Sequence, residues 1–346
     1  MSLRVAIVGA TGYTGAERVR LCLAHPELEV GPLVGHSKAG LPVEDVLPSL
    51  AGLGLGTVQA VDADSVADAA DGAFCGLPHG ASAGIVSELR DRGLPVLDLS
   101  ADFRLRDPAV YAEWYGAHLA PERFGEGVYG LSELHREELP GAELIAVPGC
   151  NATASILALA PLMKERLVAT EGLVCDIKTG VSGAGRVPKA STHFPETGEG
   201  TRAYKAAGLH RHTPEIEQEL GLLAGEALRL TFVPHLVPMN RGILATCYAM
   251  SEGTDAARAT EAARALYAGS PSVVVRDPGV HPDTLWVRGA NRAQLSYHHD
   301  ARAGRLVAFA AIDNLMKGAA GAAVQALNVR QGFPEAAGLG LPATWP

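Results

Sequence analysis

Apolar residues along the first half of the chain form short continuous runs separated by longer stretches with helical spacing. A buried-type strand over residues 4–8 is followed by a predicted helix over 16–25 and a second strand over 28–34. Buried parallel strands read as continuous apolar runs, so this order predicts a β–α–β unit. Further apolar runs at 72–77 and 96–100 predict two more strands of the same sheet.

The pattern changes in the second half of the chain. A helix predicted over residues 154–167 is apolar nearly all round, which indicates that it is buried. Beyond it, the sequence predicts strands at 172–179, 229–237, 242–250 and 272–276, helices at 215–223 and 256–267, a hairpin over 293–311 and a last helix over 313–330. These strands predict a mostly antiparallel layer, so this half is expected to be an α+β domain.

Length, charge and cysteine content narrow the class of protein. A chain of 346 residues exceeds one core, so two domains are expected. The net charge of −9, without a basic stripe, argues against nucleic acid as a partner. No apolar run is long enough for a membrane span, and the early first strand leaves no room for a signal peptide. Together with five scattered cysteines, this predicts a cytoplasmic protein.

A glycine-rich segment joins the first strand to the first helix. Its glycines are spaced G-x-x-G-x-x-G, and they would tighten the turn, admit a pyrophosphate and let the helix pack on the strand. Because the segment stands between a strand and a helix, it predicts a Rossmann-type dinucleotide site; a purely structural glycine turn is the alternative. The predicted cofactor-binding residues are Gly9, Thr11, Gly12, Tyr13, Thr14 and Gly15.

The end of the second strand indicates which dinucleotide is bound. NAD sites usually place a carboxylate there to hold the ribose 2′-hydroxyl. Here Val34 is followed by Gly35-His36-Ser37-Lys38, without a carboxylate. Ser37 and Lys38 offer a hydroxyl and a cation for a 2′-phosphate, so we predict NADP(H). The alternative is that both residues belong to a solvated loop.

Cys150 stands after a short apolar strand and a Pro-Gly turn, at the start of the buried helix. Unpaired backbone N–H groups and the positive end of the helix dipole lower the pKa of a thiol at such a place. This predicts a reactive thiolate, and the alternative is a small buried hydrophobe. We assign that second role to the other four cysteines, Cys22, Cys75, Cys175 and Cys247.

His210 and His212 precede Thr213 and Pro214, which look like an N-cap and a first helical residue. A cysteine with a histidine is typical of a nucleophile with a general acid/base. A metal site is not expected, because no cysteine or carboxylate has ligand spacing. Either histidine could be a solvated loop residue. We favour His212 as the acid/base because the adjacent helix start fixes its backbone.

Three arginines stand on loops where an anion could bind, since arginine binds planar anions through two hydrogen bonds. Arg104 follows the strand at 96–100 and could bind an anionic ligand, although it could instead pair with Asp102 or Asp107. Arg186, in a second glycine-rich loop, and Arg241, at a turn, carry the same anion-binding group.

Together these segments resemble the N-acetyl-gamma-glutamyl-phosphate reductases, relatives of aspartate-semialdehyde dehydrogenase. The resemblance extends over residues 5–332, and the segments that carry it are 9–15, 77–80, 98–104, 148–151, 180–186, 210–215, 237–242 and 314–318. It implies that Cys150 is the nucleophile, that a histidine of the 210–212 motif is the acid/base and that NADPH is the cofactor.

The resemblance also implies a domain organisation. Residues 1–149 would form the NADP-binding domain, completed by a C-terminal helix at 314–330. Residues 150–313 would form the catalytic and substrate domain, whose sheet mediates a homodimer or homotetramer. The matched motifs add Pro78, Ser182, Gly183 and Asn314 as cofactor-binding residues, with Asn314 near the nicotinamide, and Asn151 and Glu215 as substrate-binding residues.

The implied reaction begins with a small acyl phosphate, from which a thiolate displaces phosphate to give a thioester. Hydride reduction then yields an aldehyde. In this reaction Arg104 would hold the departing phosphate, Arg186 could also hold it, and Arg241 would hold the substrate carboxylate. A sister group reduces an aminoadipyl phosphate carried on a small acidic protein, and the loop at 189–196 partly resembles it, whereas 181–186 and 237–241 resemble the arginine-pathway enzymes. A Cys/His hydrolase or acyltransferase would leave the 9–15 loop unused, and a cofactor sensor would leave Cys150 unused.

Overall fold

The structure, a computed structural model, describes residues 2–78, 80–251 and 253–345. His79, part of the 77–80 motif, lies outside the described residues. The chain divides into two compact units. The first comprises the residues up to Pro148 with Ala319–Gly340, and the second comprises Gly149–Gly318 with the residues from Leu341 onward. Within the described ranges, no helix is both long and apolar enough to cross a membrane.

The strands are short in the first unit and reach eight residues in the second. They are β1 (Leu3–Val8), β2 (Leu28–Val34), β3 (Gly72–Cys75), β4 (Val96–Asp98), β5 (Val128–Tyr129), β6 (Leu144–Ala146), β7 (Leu173–Gly180), β8 (Arg202–Ala203), β9 (Leu230–Val237), β10 (Ile243–Met250), β11 (Val273–Val275), β12 (Ala293–Asp300) and β13 (Arg305–Ile312).

The helices include several of a single turn. They are α1 (Tyr13–Leu23), α2 (Val43–Val46), α3 (Ala63–Asp68), α4 (Ser82–Asp91), α5 (Pro108–Tyr115), α6 (Ser132–His135), α7 (Cys150–Lys164), α8 (Phe194–Thr197), α9 (Thr213–Ala224), α10 (Ala256–Leu266) and α11 (Gly321–Gln331). A π-helical turn, Met316–Ala320, leads into α11.

The first unit contains a six-stranded sheet in the order β2-β1-β3-β4-β6-β5, and each neighbouring pair is parallel. This confirms the predicted Rossmann-type sheet. Strands β3, β4 and β6 are buried throughout, as expected of a parallel sheet with both faces covered. Because the strands run in one direction, the loops after β1, β3 and β4 leave the same edge, where ligands of such sheets bind.

The second unit contains a seven-stranded sheet in the order β11-β12-β13-β10-β7-β9-β8. The prediction of a mostly antiparallel sheet is wrong, because the sheet is mixed: β7 pairs in parallel with β9, and β11 with β12. Parallel neighbours need a long crossover, and the chain between β7 and β9 supplies one that includes α9. Helix α7 is buried from Asn151 to Met163, as its composition predicts.

Two predicted helix starts are too late. Helix α1 begins at Tyr13 and α7 begins at Cys150, three and four residues before the predicted starts at 16 and 154. In both helices the N-cap is a glycine, Gly12 or Gly149, with an extended backbone. The helical conformation therefore begins at the next residue, although the apolar pattern that reveals a helix in the sequence begins later.

Candidate active site and cofactor site

The loop between β1 and α1 depends on three glycines, each for a different reason. Gly9 has a φ of +83°, and a Cβ there would overlap the carbonyl oxygen of Gly76. A Cβ on Gly15 would overlap the carbonyl oxygen of Gly9. On Gly12 it would come no closer than 3.8 Å to that same oxygen, so this backbone stays open to a ligand. This cradle, which ends at a helix N-terminus, fits a dinucleotide diphosphate.

The other predicted cofactor residues of the first unit belong to this loop, to the start of α1 or to the segments that follow β2 and β3. Thr11 and Thr14 are half-buried, and Tyr13 is exposed. Ser37 and Lys38 are exposed in the turn after β2, and no carboxylate stands between Val34 and Lys38. Pro78 follows β3 and is exposed. This arrangement leaves the two residues predicted to bind the 2′-phosphate accessible to a ligand.

Arg104 is buried in the first unit. Its Nε donates a hydrogen bond to the carbonyl of Val147 at 2.7 Å, and its Nη2 donates to the carbonyl of Leu99 at 2.7 Å. The two carboxylates considered as its partners accept other hydrogen bonds: Asp102 from the Gly80 amide at 2.9 Å, and Asp107 from the Ala109 amide at 2.7 Å. The guanidinium therefore ties two loops of this unit together, and phosphate binding by Arg104 stays a prediction.

In the second unit, Cys150 is the first residue of α7 and is half-buried. The amide of Gly149, its N-cap, donates to Oε1 of the buried Glu215 at 2.8 Å. A Cβ on Gly318 would lie 2.8 Å from the Cβ of Cys150, so the glycine leaves room for the thiol side chain. At this position the positive end of the helix dipole stabilises a thiolate.

Asn151 links Cys150 to a tyrosine that the sequence analysis missed. Its Oδ1 accepts a hydrogen bond from Thr179 Oγ1 at 2.8 Å and lies 4.0 Å from the Cys150 Sγ, while its Nδ2 donates to the Tyr204 hydroxyl at 3.4 Å. Burial, and to a smaller extent the nearby Cys150, raises the pKa of Tyr204. The phenol is therefore a neutral group beside the cysteine. Nothing in the sequence around Tyr204 singles it out, because only the fold brings it there.

The two histidines lie in different environments. His210 is buried against Phe232, at 5.0 Å between ring centroids, and its ring lies 4.7 Å from that of His212. Burial, with smaller contributions from His212 and Lys205, lowers the pKa of His210 to about 2. Its ring is therefore neutral, and its Nδ1 accepts a hydrogen bond from the His212 amide at 3.1 Å.

His212 is half-buried and is the N-cap of α9. The prediction that Thr213 is the N-cap is therefore wrong by one residue: Thr213 is the first helical residue, and the proline after it stands in the first turn. The hydrogen bond from its amide to His210 fixes the backbone of His212 just where the helix begins. The role of His212 as the acid/base stays a prediction.

A second polar cluster of this unit surrounds Asn314. Its Oδ1 accepts from the Gly242 amide at 2.8 Å, and its Nδ2 donates to Ser182 Oγ at 2.9 Å. Next to it, Arg241 Nη1 donates to the buried carboxylate of Asp313 at 3.2 Å. The cluster thus brings together two predicted cofactor residues and one predicted substrate residue.

The remaining predicted residues of the second unit lie on the loop after β7, where Gly183 and Arg186 are exposed. Glu215 binds the Gly149 amide, next to Cys150 and Asn151. The ring of His210 lies 5.5 Å from that of Tyr204, which Asn151 contacts. In the described part of the chain, no group of three or more His, Cys, Asp or Glu side chains could hold a metal ion.

Both units match protein families. Residues 4–142 match the NAD binding domain of semialdehyde dehydrogenases, and residues 150–314 match the semialdehyde dehydrogenase dimerisation domain. The same fold occurs in aspartate semialdehyde dehydrogenase II from Vibrio cholerae, with a TM-score of 0.71, 16% identity and coverage of 95% of this chain and 98% of that one. The Candida albicans enzyme, solved with NADP, has a TM-score of 0.72 at 15% identity, with coverage of 96% and 100%. The two family matches place the chain among the semialdehyde dehydrogenases, a class of oxidoreductases.

Closer relatives narrow this class. The N-acetyl-gamma-glutamyl-phosphate reductase of Geobacter metallireducens is 47% identical, over 98% of this chain and 99% of its own length. The Brevibacillus brevis protein of the same name is 46% identical, over 99% of this chain and 100% of its own. The chain belongs to the N-acetyl-gamma-glutamyl-phosphate reductase family, which confirms the resemblance seen in the sequence.

Proposed function

We propose that this chain reduces N-acetyl-gamma-glutamyl phosphate to the corresponding semialdehyde, with NADPH as reductant and release of inorganic phosphate, as a step of arginine biosynthesis. The observation that carries the proposal is the near-full-length identity of 44–47% to relatives that bear this name. The position of Cys150 at the N-terminus of α7 supports it. Such a position favours a thiolate, and a thiolate is the nucleophile that displaces phosphate from an acyl phosphate.

In the proposed mechanism, the thiolate of Cys150 attacks the acyl carbon. A carbon–sulfur bond forms, the carbon–oxygen bond to phosphate breaks, and the products are a thioester and inorganic phosphate. When bound, NADPH supplies the hydride that reduces the thioester to a thiohemiacetal. His212 protonates the developing oxyanion and then takes up that proton as the thiohemiacetal collapses, which releases the aldehyde and restores the thiolate.

Three arginines and two polar residues would hold the anionic substrate. We assign Arg104 and Arg186 to the departing phosphate, and Arg241 to the substrate carboxylate, because guanidinium groups bind planar anions through two hydrogen bonds. Asn151 and Glu215, which contact Tyr204 and the Gly149 amide, would contact the rest of the acyl chain.

The substrate can be tested in the reverse direction. We expect phosphate-dependent reduction of NADP⁺ with N-acetylglutamate semialdehyde, and at least tenfold lower kcat/KM with aminoadipate semialdehyde linked to a carrier protein. The two substrates differ by one methylene, which in a hydrophobic pocket typically changes specificity by about 10–200-fold. An enzyme without a surface for the carrier protein would discriminate further against the carrier-linked substrate. Turnover confined to the carrier-linked substrate would assign the chain to lysine biosynthesis. Hydrolysis of the acyl phosphate without NADPH consumption would indicate a hydrolase.

The cofactor preference can be tested at the turn after β2. Replacing Ser37 and Lys38 together by alanine should raise the Kd of NADPH about 10–100-fold, since hydrogen bonds to charged groups contribute roughly 1.5–3 kcal/mol. The Kd of NADH, which lacks the 2′-phosphate, is the internal control and should change less than about twofold. Fluorescence titration of both cofactors measures this. An equal loss for both would mean that the two residues do not contact the 2′-phosphate.

We further propose a homodimer or homotetramer formed through the sheet of the second unit. Along β7 the residues alternate between buried and half-buried, and along β9 the same alternation leaves one face of the sheet partly accessible. The match of this unit to a dimerisation domain supports the assignment. A cytoplasmic location stays a prediction, for which the free state of all five cysteines is the supporting observation.

A further inference from the structure

Arg18 is a fully buried cation to which the proposed mechanism gives no role. It lies on the buried face of α1, together with Gly15, Val19 and Cys22. Its side chain runs back toward the start of the helix, where Nε donates to the carbonyl of Thr14 at 3.1 Å. Neither of its Nη nitrogens has a hydrogen-bond acceptor among the residues that the structure describes.

The guanidinium lies directly behind the backbone that forms the cofactor cradle. A Cβ on Gly76 would lie 3.0 Å from the Arg18 Cζ and would overlap its Nη2, so the guanidinium is packed against the Gly76 Cα. The carbonyl of Gly76, in turn, touches Gly9 so closely that no side chain fits there. Arg18, Gly76 and Gly9 therefore form three successive layers, and the third belongs to the glycine-rich loop.

No acidic side chain in the described part of the chain is hydrogen-bonded to this charge. Burial lowers the pKa of Arg18 to about 10, so the guanidinium stays protonated at neutral pH. Burial raises the pKa of the Cys22 thiol to about 12 and that of the Cys75 thiol still further, so both sulfurs stay neutral. The Asp98 carboxyl group has only a small effect, raising the pKa of Arg18; it accepts hydrogen bonds from Ser82 and Ser100, and burial raises its own pKa. A buried charge without a hydrogen-bonded counter-ion destabilises a folded chain. A bound anionic ligand could compensate the charge of Arg18.

We propose that Arg18 is a positioning residue for the dinucleotide, which attracts the diphosphate electrostatically from behind the glycine-rich loop without touching it. In a buried, weakly polarisable setting its charge is poorly screened by water and salt, so it acts across the thin backbone layer. The negative diphosphate would supply the counter-charge that no hydrogen-bonded side chain in the described ranges provides. This inference rests on dinucleotide binding alone and is independent of which acyl phosphate is reduced.

The test compares two ligands and two variants. Adenosine 2′-monophosphate carries the 2′-phosphate of NADP⁺ but no diphosphate. We expect Arg18→Met to raise the Kd of NADP⁺ about tenfold, the effect of one poorly screened charge, and to leave that of adenosine 2′-monophosphate within about twofold. Arg20→Met is the matched control: it removes the same charge from the same helix, but at the surface, where Arg20 pairs with Glu17 at 2.8 Å. It should leave both Kd values within about twofold.

Thermal unfolding separates this role from a merely structural one. Without cofactor, Arg18→Met should melt at a higher temperature than the natural chain, because an uncompensated buried charge is gone. The rise in melting temperature on adding NADP⁺ should be smaller, because stabilisation by a ligand follows its affinity. A structural role predicts the opposite: a lower melting temperature without cofactor and an unchanged ratio of the two Kd values.

Either of those structural outcomes, or a parallel loss for both ligands, would overturn the proposal. Should Arg18→Met not fold, Arg18→Gln gives the same ratio of Kd values with a planar neutral group. Normal NADP⁺ binding by a chain that fails the reductase assay would reject the proposed substrate and leave the role of Arg18 intact. A natural chain that binds adenosine 2′-monophosphate as tightly as NADP⁺ would reject the role of Arg18 alone.

Discussion

Cys150→Ser is expected to reduce reductase turnover at least about 10³-fold, the loss typical of removing a catalytic nucleophile. The N-terminus of α7 favours a thiolate at this position, whereas a serine hydroxyl is far too weak an acid to ionise there. Because the substitution exchanges one small side chain for another in a half-buried position, the fold and NADPH binding should be retained.

Three measurements check this expectation: turnover, NADPH binding, and the intact mass of the enzyme after mixing with acyl phosphate without cofactor. The natural chain should gain the mass of one acyl group and the variant none. Cys247→Ala is the matched control, because its hydrogen bond with Cys175 and its burial hold the pKa of that thiol well above its usual value. It should keep turnover within about tenfold. Near-normal turnover of Cys150→Ser would exclude the thioester mechanism.

The features that the sequence predicted correctly are those encoded locally. The run at residues 4–8 and the three glycines after it specify a buried strand and a tight turn through short-range sterics, and the structure shows both. Cys150 was predicted at a helix start because Pro148 and Gly149 interrupt the strand before it. In each case the residues that determine the conformation are neighbours in the chain.

The features that the sequence did not reveal depend on distant parts of the chain. Strands β7 and β9 alternate like the strands of a hairpin, yet they are parallel, because alternation records which face is buried and not the direction of the neighbour. Tyr204 and Asn151 are 53 residues apart in the chain, so no local sequence pattern predicts the contact between them. The carbonyl partners of Arg104 were missed for the same reason, since one of them is 43 residues away.

The second large effect is expected at the histidines. His210 cannot deliver a proton near neutral pH, because burial lowers its pKa to about 2 and keeps the ring neutral. Its observed contact is to accept the amide hydrogen of His212, which holds the backbone at the start of α9. His212 is half-buried, so it can meet a substrate, and it is the N-cap of α9, with its amide bonded to His210. We therefore expect His212 to be the general acid/base and His210 to position it.

His212→Asn should lower kcat about 10²–10⁴-fold, or roughly 3–5 kcal/mol of barrier, while the Cys150 thioester still forms. His210→Asn is the matched control, since an asparagine oxygen can accept the amide hydrogen two residues on and preserve the turn. This variant should act mainly on KM and lower kcat less than about tenfold. Intact mass for the thioester and steady-state rates for both variants decide the matter. A large loss of kcat confined to His210→Asn would reverse the two roles, because a ring that only positions its neighbour should be replaceable by another acceptor.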